Sequence, residues 1–173
     1  WSSDVCSSDL APTITAAIAD QAFTEAADAS AQGLSATGSL SFNDIDTTDV
    51  IDVTKAVTTA AVWSGGTIDA SLKTALEAGF AISATDVAAP GTLNWTYSVN
   101  DANLDFLKDG ETLTLTYTVT VTDSASATAT DTVTVTITGA NDAPTITTAI
   151  ADQAFTEAAN AAAQDLSATG SLG

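Results

Sequence analysis

The strongest pattern of apolar and polar positions lies between Leu107 and Pro144. From Thr112 to Val121 every even position is Thr, and every odd one is apolar: Leu113, Leu115, Tyr117, Val119, Val121. A period of two over that length, rich in β-branched residues, predicts a half-buried strand. The alternation returns at Thr132 to Thr138, with Val133, Val135 and Ile137 sharing a face. A short turn of Ser, Ala, Thr and Asp separates the two runs, which predicts an antiparallel hairpin. Carboxylates bracket it: Asp109 and Glu111 before, Asp123 at the turn, Asp142 after.

The rest of the chain reads in the same terms. Pro12 to Ala22 is an extended opening strand, ended by Phe23-Thr24-Glu25. Leu34 to Phe42 is a second strand, followed by the acidic loop Asn43 to Asp49. Val50 to Trp63 is β-branched and stops at Ser64-Gly65-Gly66. Ala70 to Ala78 places Leu72, Leu76 and Ala75 on one face at helical spacing, with Gly79 as a stop. Phe80 to Ala84 and Leu93 to Val99 are further strands, with Trp95, Tyr97 and Val99 facing the core. Asn103 to Leu107 reads as a single helical turn. About seven short strands divided by turns predict an all-β fold, an immunoglobulin-like antiparallel β-sandwich with one short helix.

Two segments change the domain picture. Ala11 to Leu40 and Ala143 to Leu172 are the same sequence except at 16/148, 28/160, 30/162 and 33/165. Identity of that degree at a fixed offset indicates tandem repeats. Residues 11–142 read as one complete unit, and 143–173 as the start of the next, too short to bury a core alone. The parent is expected to be a long array. Trp1 to Leu10 (WSSDVCSSDL) fits neither copy and matches the translation of a common sequencing-library adapter at every position. Residues 1–10 are therefore set apart from the fold, as a tag would be.

Composition then narrows the function. The chain has 173 residues, with 22 Asp and Glu against 3 Lys, no Arg and no His, and a formal charge of −19. That excludes a nucleic-acid grip, which needs a basic surface, and argues against anionic membranes. No apolar run approaches the ~18 residues of a membrane span. Hydrophobic content of 45% with clean strand periodicity argues against disorder. Acidic, lysine-poor sequences of this kind are common in large exported bacterial repeats. Without His, and with Cys6 inside the adapter-like segment, there is no Ser–His or Cys–His pair. Carboxylates are so abundant that their proximity in sequence is no argument for glycoside hydrolysis. The chain is read as non-enzymatic.

Metal binding is the chemistry left. Oxygen-only donors on a cation-poor chain suit Ca²⁺ rather than zinc or copper. Asp44 to Asp49 superficially suggests an EF-hand loop, but the sixth position is not Gly and the twelfth is Lys55. Gly65-Gly66-Thr67-Ile68-Asp69 faintly echoes a glycine-rich Ca²⁺ nonapeptide, but it occurs once and reads as a turn.

Residues 34–144 also carry a family resemblance. Trp95-Thr96-Tyr97, Phe106-Leu107, Gly110-Glu111-Thr112, Val119-Thr120-Val121-Thr122-Asp123 and the closing Ile137-Thr138-Gly139-Ala140-Asn141-Asp142-Ala143-Pro144 resemble a VCBS repeat, a unit of bacterial surface and secreted arrays. The unit is longer than that family's usual repeat, with the extra material expected at Val53 to Ala89. The VCBS pattern is in turn similar to cadherin repeats, in which Ca²⁺ sits at domain junctions. That resemblance implies ligands at Glu25, Asp109, Glu111, Asn141 and Asp142 at one pole, and at Asp44, Asp46 and Asp123 at the other. The linker lacks the first Asp and last Asn of the cadherin pattern, so one or two ions per junction are expected. The implied function is a structural and adhesive repeat of an exported, Ca²⁺-stiffened stalk on a bacterial surface. Its partners would be neighbouring repeats and a cell-surface or matrix target. The alternatives are a glycan-binding module using Val53–Ala89, with Trp63 or Phe80 exposed, or an accessory repeat of a large secreted enzyme.

Overall fold

In the computed structural model the described residues are 10–27, 32–83, 86–144, 146–157, 159 and 166–172, with the side chains of Asp101 and Ala102 outside that set. The adapter-like residues 1–9, Cys6 among them, lie outside the described residues. The described chain runs β1 (Thr13–Ala16), β2 (Gln21–Thr24), β3 (Gln32–Asn43), β4 (Val50–Trp63), α1 (Ala70–Ala78), β5 (Phe80–Ile82), β6 (Asp86–Ala88), β7 (Gly91–Ala102), β8 (Thr112–Thr122) and β9 (Thr128–Thr138). The fold is all-β, an immunoglobulin-like sandwich of two sheets. One sheet has the order β1-β3-β7-β5, the other β2-β9-β8-β4-β6.

The Thr-rich hairpin is the spine of the second sheet. β8 and β9 pair antiparallel from Thr112↔Thr138 to Thr122↔Thr128, and β4 lies on the other side of β8. Leu113, Leu115, Tyr117, Val119 and Val121 are buried along with Val133, Val135 and Ile137, while the threonines between them stay partly exposed. Trp95, Tyr97 and Val99 of β7 face them from the first sheet and are buried too. Phe80 joins the layers, stacking on Trp95 at 5.7 Å and on Tyr117 at 5.1 Å between ring centroids. Such offset aromatic contacts add to the burial term itself.

The opening strand differs from the expectation of one continuous strand. It splits into β1, antiparallel to β3 in one sheet, and β2, parallel to β9 in the other. Between them the chain crosses layers. Ile18 N–H donates to Asp131 Oδ2 at 2.7 Å, and Asp20 Oδ1 accepts from Thr134 N–H at 2.7 Å. β6 has no counterpart among the expected strands. Asn103–Leu107 forms a hydrogen-bonded turn, Leu107 N–H to Leu104 C=O, rather than a helical turn.

The segment expected to be extra material is integral to the sandwich. It holds most of β4, α1, and the edge strands β5 and β6. Asp69 caps α1, its Oδ1 accepting from Ser71 and Leu72 N–H, and Leu76 is buried. Tyr117 Oη donates to the Leu76 carbonyl at 2.6 Å, tying the helix end to β8.

The chain divides between Asp142 and Ala143 into two units. The described residues of the second unit form neither helix nor strand, and Ile146, Ile150, Phe155, Leu166 and Leu172 are exposed there.

Candidate metal centre

Register fixes two poles of the sandwich. The β3–β4 loop and the β8–β9 turn lie at one pole, since Asp52 pairs with Thr122 and Thr122 with Thr128. Trp63, Thr112 and Thr138 lie at the other, with the turn before β8 and the exit from β9.

At the first pole three carboxylates converge. Oxygen atoms of Asp44, Asp49 and Asp123 lie within 4.8 Å of one another. Local structure puts each there. Asp44 follows the last residue of β3, and its Oδ1 accepts from Asp46 N–H at 2.9 Å. Asp49 returns toward it through the turn closed by its N–H on Asp46 C=O. Asp123 follows β8, and its Oδ1 accepts from Ala125 and Ala127 N–H at 3.0 and 2.8 Å. Ser126 holds a φ of 75° in that turn.

Asp44 and Asp123 are 3% and 5% exposed, and in each the second oxygen, Oδ2, is buried with no hydrogen-bond partner. A buried carboxylate oxygen without a donor is costly, and neighbouring like charges add to the cost. Hard cations bound by six to eight oxygens remove both penalties at once. The donor set is all oxygen, with no His or thiolate among the three, which fits Ca²⁺ and not the softer metals. Asp46, named with Asp44 and Asp123 in the cadherin-like pattern, stands beside this trio: its Oδ2 accepts from Leu10 N–H at 3.1 Å. Asp49 was read as part of an acidic loop and of a rejected EF-hand pattern, not as a ligand. Its five-residue offset from Asp44 is a weak local signal, and only the long-range approach of Asp123 gives it meaning.

At the second pole the carboxylates are spent differently. Glu25 is 4% exposed; Oε2 accepts from Ala140 N–H at 2.9 Å, while Oε1 is buried without a partner. Burial pushes its pKa up, against the Ala140 hydrogen bond, and the charges of Asp142 and Asp105 push the same way. Glu111 Oε2 accepts from Trp63 Nε1 at 3.0 Å and from Lys108 N–H at 3.1 Å, so this side chain holds the turn before β8 against the end of β4. Asp109, Asn141 and Asp142 are exposed along a shallow cleft with Asp105, Lys108 and Ala140. No three of Glu25, Asp109, Glu111 and Asp142 bring carboxylate oxygens as close together as the trio at the first pole. Asp105 was missed by the sequence reading; it is a neighbour of Glu25 only through the fold.

The aromatic residues of the glycan-binding alternative are occupied. Phe80 is fully buried, and Trp63 packs edge-on against Phe106 at 4.8 Å while donating to Glu111. At Gly65 and Gly66 a Cβ would come within 3 Å of the Trp63 ring, so the glycine pair serves a close-packed turn.

No family model matches the chain, and no curated protein matches it. Among solved structures it is similar to AggA, the major subunit of aggregative adherence fimbriae type I from Escherichia coli. That match has 15% identity and a TM-score of 0.43, covering 75% of this chain and 93% of that one. It is also similar to PapD-like domain 7 of human CEP192, at 12% identity and a TM-score of 0.43, over 77% and 89% of the two chains. The CooA pilin subunit of enterotoxigenic Escherichia coli matches at 12% identity and 0.38, over 76% and 99%.

Proposed function

We propose that the chain is a non-catalytic structural repeat of an exported, adhesive bacterial surface array, and that it binds Ca²⁺ at the pole formed by Asp44, Asp49 and Asp123. The observation that carries the reading is the pair of buried, donorless oxygens, Asp44 Oδ2 and Asp123 Oδ2, in a three-carboxylate cluster. The VCBS-like closing motif and the tandem repeat of Ala11–Leu40 support the array.

The two features connect at residue 10. Position 10 stands one repeat before Asp142, so in a tandem array it would be the aspartate of an Asn-Asp-Ala-Pro linker. Leu10 already donates its N–H to Asp46 Oδ2 beside the carboxylate cluster. A linker aspartate at that point would lie next to the cluster and join the two repeats through the ion. Extracellular Ca²⁺ would fill sites with Kd of about 10⁻⁴–10⁻³ M. The excess negative charge would keep neighbouring stalks apart. The glycan-binding alternative loses its exposed aromatics to the core and to Glu111.

Thermal unfolding with Ca²⁺ and with chelator tests the metal. At a hundredfold excess over Kd, binding adds about 2.7 kcal/mol and raises Tm by several degrees. Asp44→Asn keeps an oxygen for the Asp46 N–H but removes a charge, so the Ca²⁺-dependent rise should disappear. An unchanged Tm on adding Ca²⁺ to the parent chain sinks the assignment. For the array, small-angle scattering on a chain continued through the whole next repeat should show a greater maximum dimension with Ca²⁺ than with chelator.

A further inference from the structure

A strand at the edge of a sheet offers unpaired N–H and C=O groups to any other strand, and most edges of this sandwich are guarded. Beyond β2, the outer side of β9 is met by carboxylates: Asp131 Oδ1 accepts from Thr132 N–H at 2.9 Å, and Asp20 Oδ1 from Thr134 N–H at 2.7 Å. The part of β4 beyond β6 shifts register between Val57 and Thr59 and again before Val62, and Glu77 Oε1 accepts from Ala61 N–H. Beside β5, the outer side of β7 is held by Gly79 C=O on Ser98 N–H and by Ser83 Oγ on Asn94 N–H. β1 is 4 residues long, with a register shift between Ile14 and Ala16.

Leu34–Leu40 of β3 has none of these guards. β1 covers β3 only from Ser41 to Asn43, and the pairing with β7 runs from Leu34 to Phe42 without a shift. The stretch has no charged residue and no proline. Among the described residues nothing bonds to its outer side. Leu34 and Leu40 are buried, but Ala36 and Gly38, on the same side of the strand, are partly exposed, so solvent reaches the edge between them.

The seven residues also read nearly alike in both directions: Leu34-Ser35-Ala36-Thr37-Gly38-Ser39-Leu40. Turned antiparallel about Thr37, a second copy sets Leu opposite Leu, Ser opposite Ser, Ala opposite Gly and Thr opposite Thr. A two-fold contact requires this self-complementarity. We infer that two molecules of this chain pair through β3, edge to edge and antiparallel about Thr37, joining their β1-β3-β7-β5 sheets into one. β1 stops at Ser41, and the β3–β7 register shifts between Gln32 and Leu34, so the regular pairing ends where the partner's β1 begins.

A contact along one short edge falls below the ~800 Å² per partner of a standard interface, so a single pair is weak. Charge opposes it: at a formal −19 the molecules repel, and the pairing should tighten as salt screens them. In an array, which is the reading proposed above, the edge recurs; Leu166–Leu172 holds the same seven residues. Many weak contacts would then add by avidity, and the adhesive partner of the array would be a second array. The pairing itself needs neither the array nor a cation, so it is tested on the chain alone, in chelator.

Sedimentation equilibrium of the full chain with Cys6→Ser, over rising concentration at low and high salt, should show monomer and dimer in exchange, with more dimer at high salt. Thr37→Glu sets two like charges opposite each other at the symmetry centre and should weaken dimerisation about fivefold or more. Ser35→Lys with Ser39→Glu sets opposite charges across the pair and should dimerise severalfold more tightly than Ser35→Glu with Ser39→Glu. These three side chains are exposed in the monomer, so melting curves at low concentration should stay close to the parent's. A chain that stays monomeric at every concentration and salt, a dimer indifferent to Thr37→Glu, or a Ser35→Lys, Ser39→Glu chain that dimerises no better than its Ser35→Glu, Ser39→Glu counterpart each overturns the inference.

Discussion

Replacing Asp49 by Asn should have opposite effects with and without cation. Asp49, Asp44 and Asp123 hold carboxylate oxygens within 4.8 Å of one another. At that distance each like-charged pair repels by about 3.5 kcal/mol at an effective dielectric of 20. Asp49 takes part in two such pairs, but it is half-buried, so solvent screens much of the sum; about 2 kcal/mol is the expected relief. Over a sandwich of this size that is a rise of about 6 °C in Tm in chelator. On the proposed Ca²⁺ site the same change would remove a charged ligand, and the stabilisation by the ion should largely vanish. The melting points of parent and variant therefore cross as Ca²⁺ is titrated. Asp49 is the informative choice because its side chain caps no backbone N–H among the described residues, whereas Asp123 Oδ1 organises the β8–β9 turn. Scanning calorimetry across a Ca²⁺ series reads both limbs. If Asp49→Asn melts like the parent in chelator and gains as much from Ca²⁺, the carboxylates are not electrostatically coupled, and the cation argument fails.

Three further outcomes are expected. Tyr117 and Tyr97 are both fully buried, but only Tyr117 has a hydrogen-bond partner, the Leu76 carbonyl; burial, with the Glu77 charge, pushes its phenol up to about 12. The Leu76 carbonyl keeps the Gly79 N–H, so Tyr117→Phe should cost about 0.5–1.5 kcal/mol in urea unfolding, and Tyr97→Phe should be neutral or stabilising. Gly139 faces the turn before β8, where a Cβ would sit 2.3 Å from the Lys108 carbonyl oxygen. Gly139→Ala should then cost about 1–3 kcal/mol or more by the same measurement. Glu25 has a native pKa raised above its ordinary 4.5 by burial, so folding favours its protonated form. Its contribution is present below about pH 4.5 and lost as pH rises through the higher native value. Glu25→Gln, which keeps an acceptor for Ala140 N–H, should raise Tm at pH 7, and the difference should shrink to nothing below pH 4.5 in a melting series run in chelator.

The central hairpin was legible because its information is local: alternation in β8 and β9 names the buried face without reference to any other segment. α1 was legible for the same reason, from Leu72 and Leu76 at helical spacing and Gly79 as the stop, although its cap, Asp69, was read only as part of a turn. The opening strand was not, because its division is decided by Asp131, a side chain 113 residues away that accepts the Ile18 N–H and turns the chain from one sheet to the other. β6 is three residues long and pairs only with the start of β4, too short for any periodicity. The candidate site shows the same split. The acidic loop and the turn acid Asp123 stood out as motifs. That Asp49 rather than Asp46 completes the close trio depends on a turn closing inside the loop and on which strand ends share a pole. Likewise Glu111 was visible as a motif acid, but its partner Trp63 lies 48 residues earlier.

The poles differ in whether their acids already have internal work. At the second pole Glu111 Oε2 already has two donors, and Asp109, Asn141 and Asp142 stay in water, where like charges are weakly coupled. Among the described residues there, only the carboxylate of Glu25 keeps a buried oxygen without a donor. At the first pole two carboxylates are desolvated, each lacks a donor for one oxygen, and a third presses against them. An ion gains most where the protein has removed water from the charge beforehand, since the repulsion it relieves grows as the local dielectric falls. Ion binding in an array would therefore begin at the first pole, within one repeat. The linker aspartate of the preceding repeat would then approach a cation rather than three bare carboxylates. On this order of events the metal fills before the junction stiffens: melting temperature should respond to lower Ca²⁺ concentrations than the length of a two-repeat chain does.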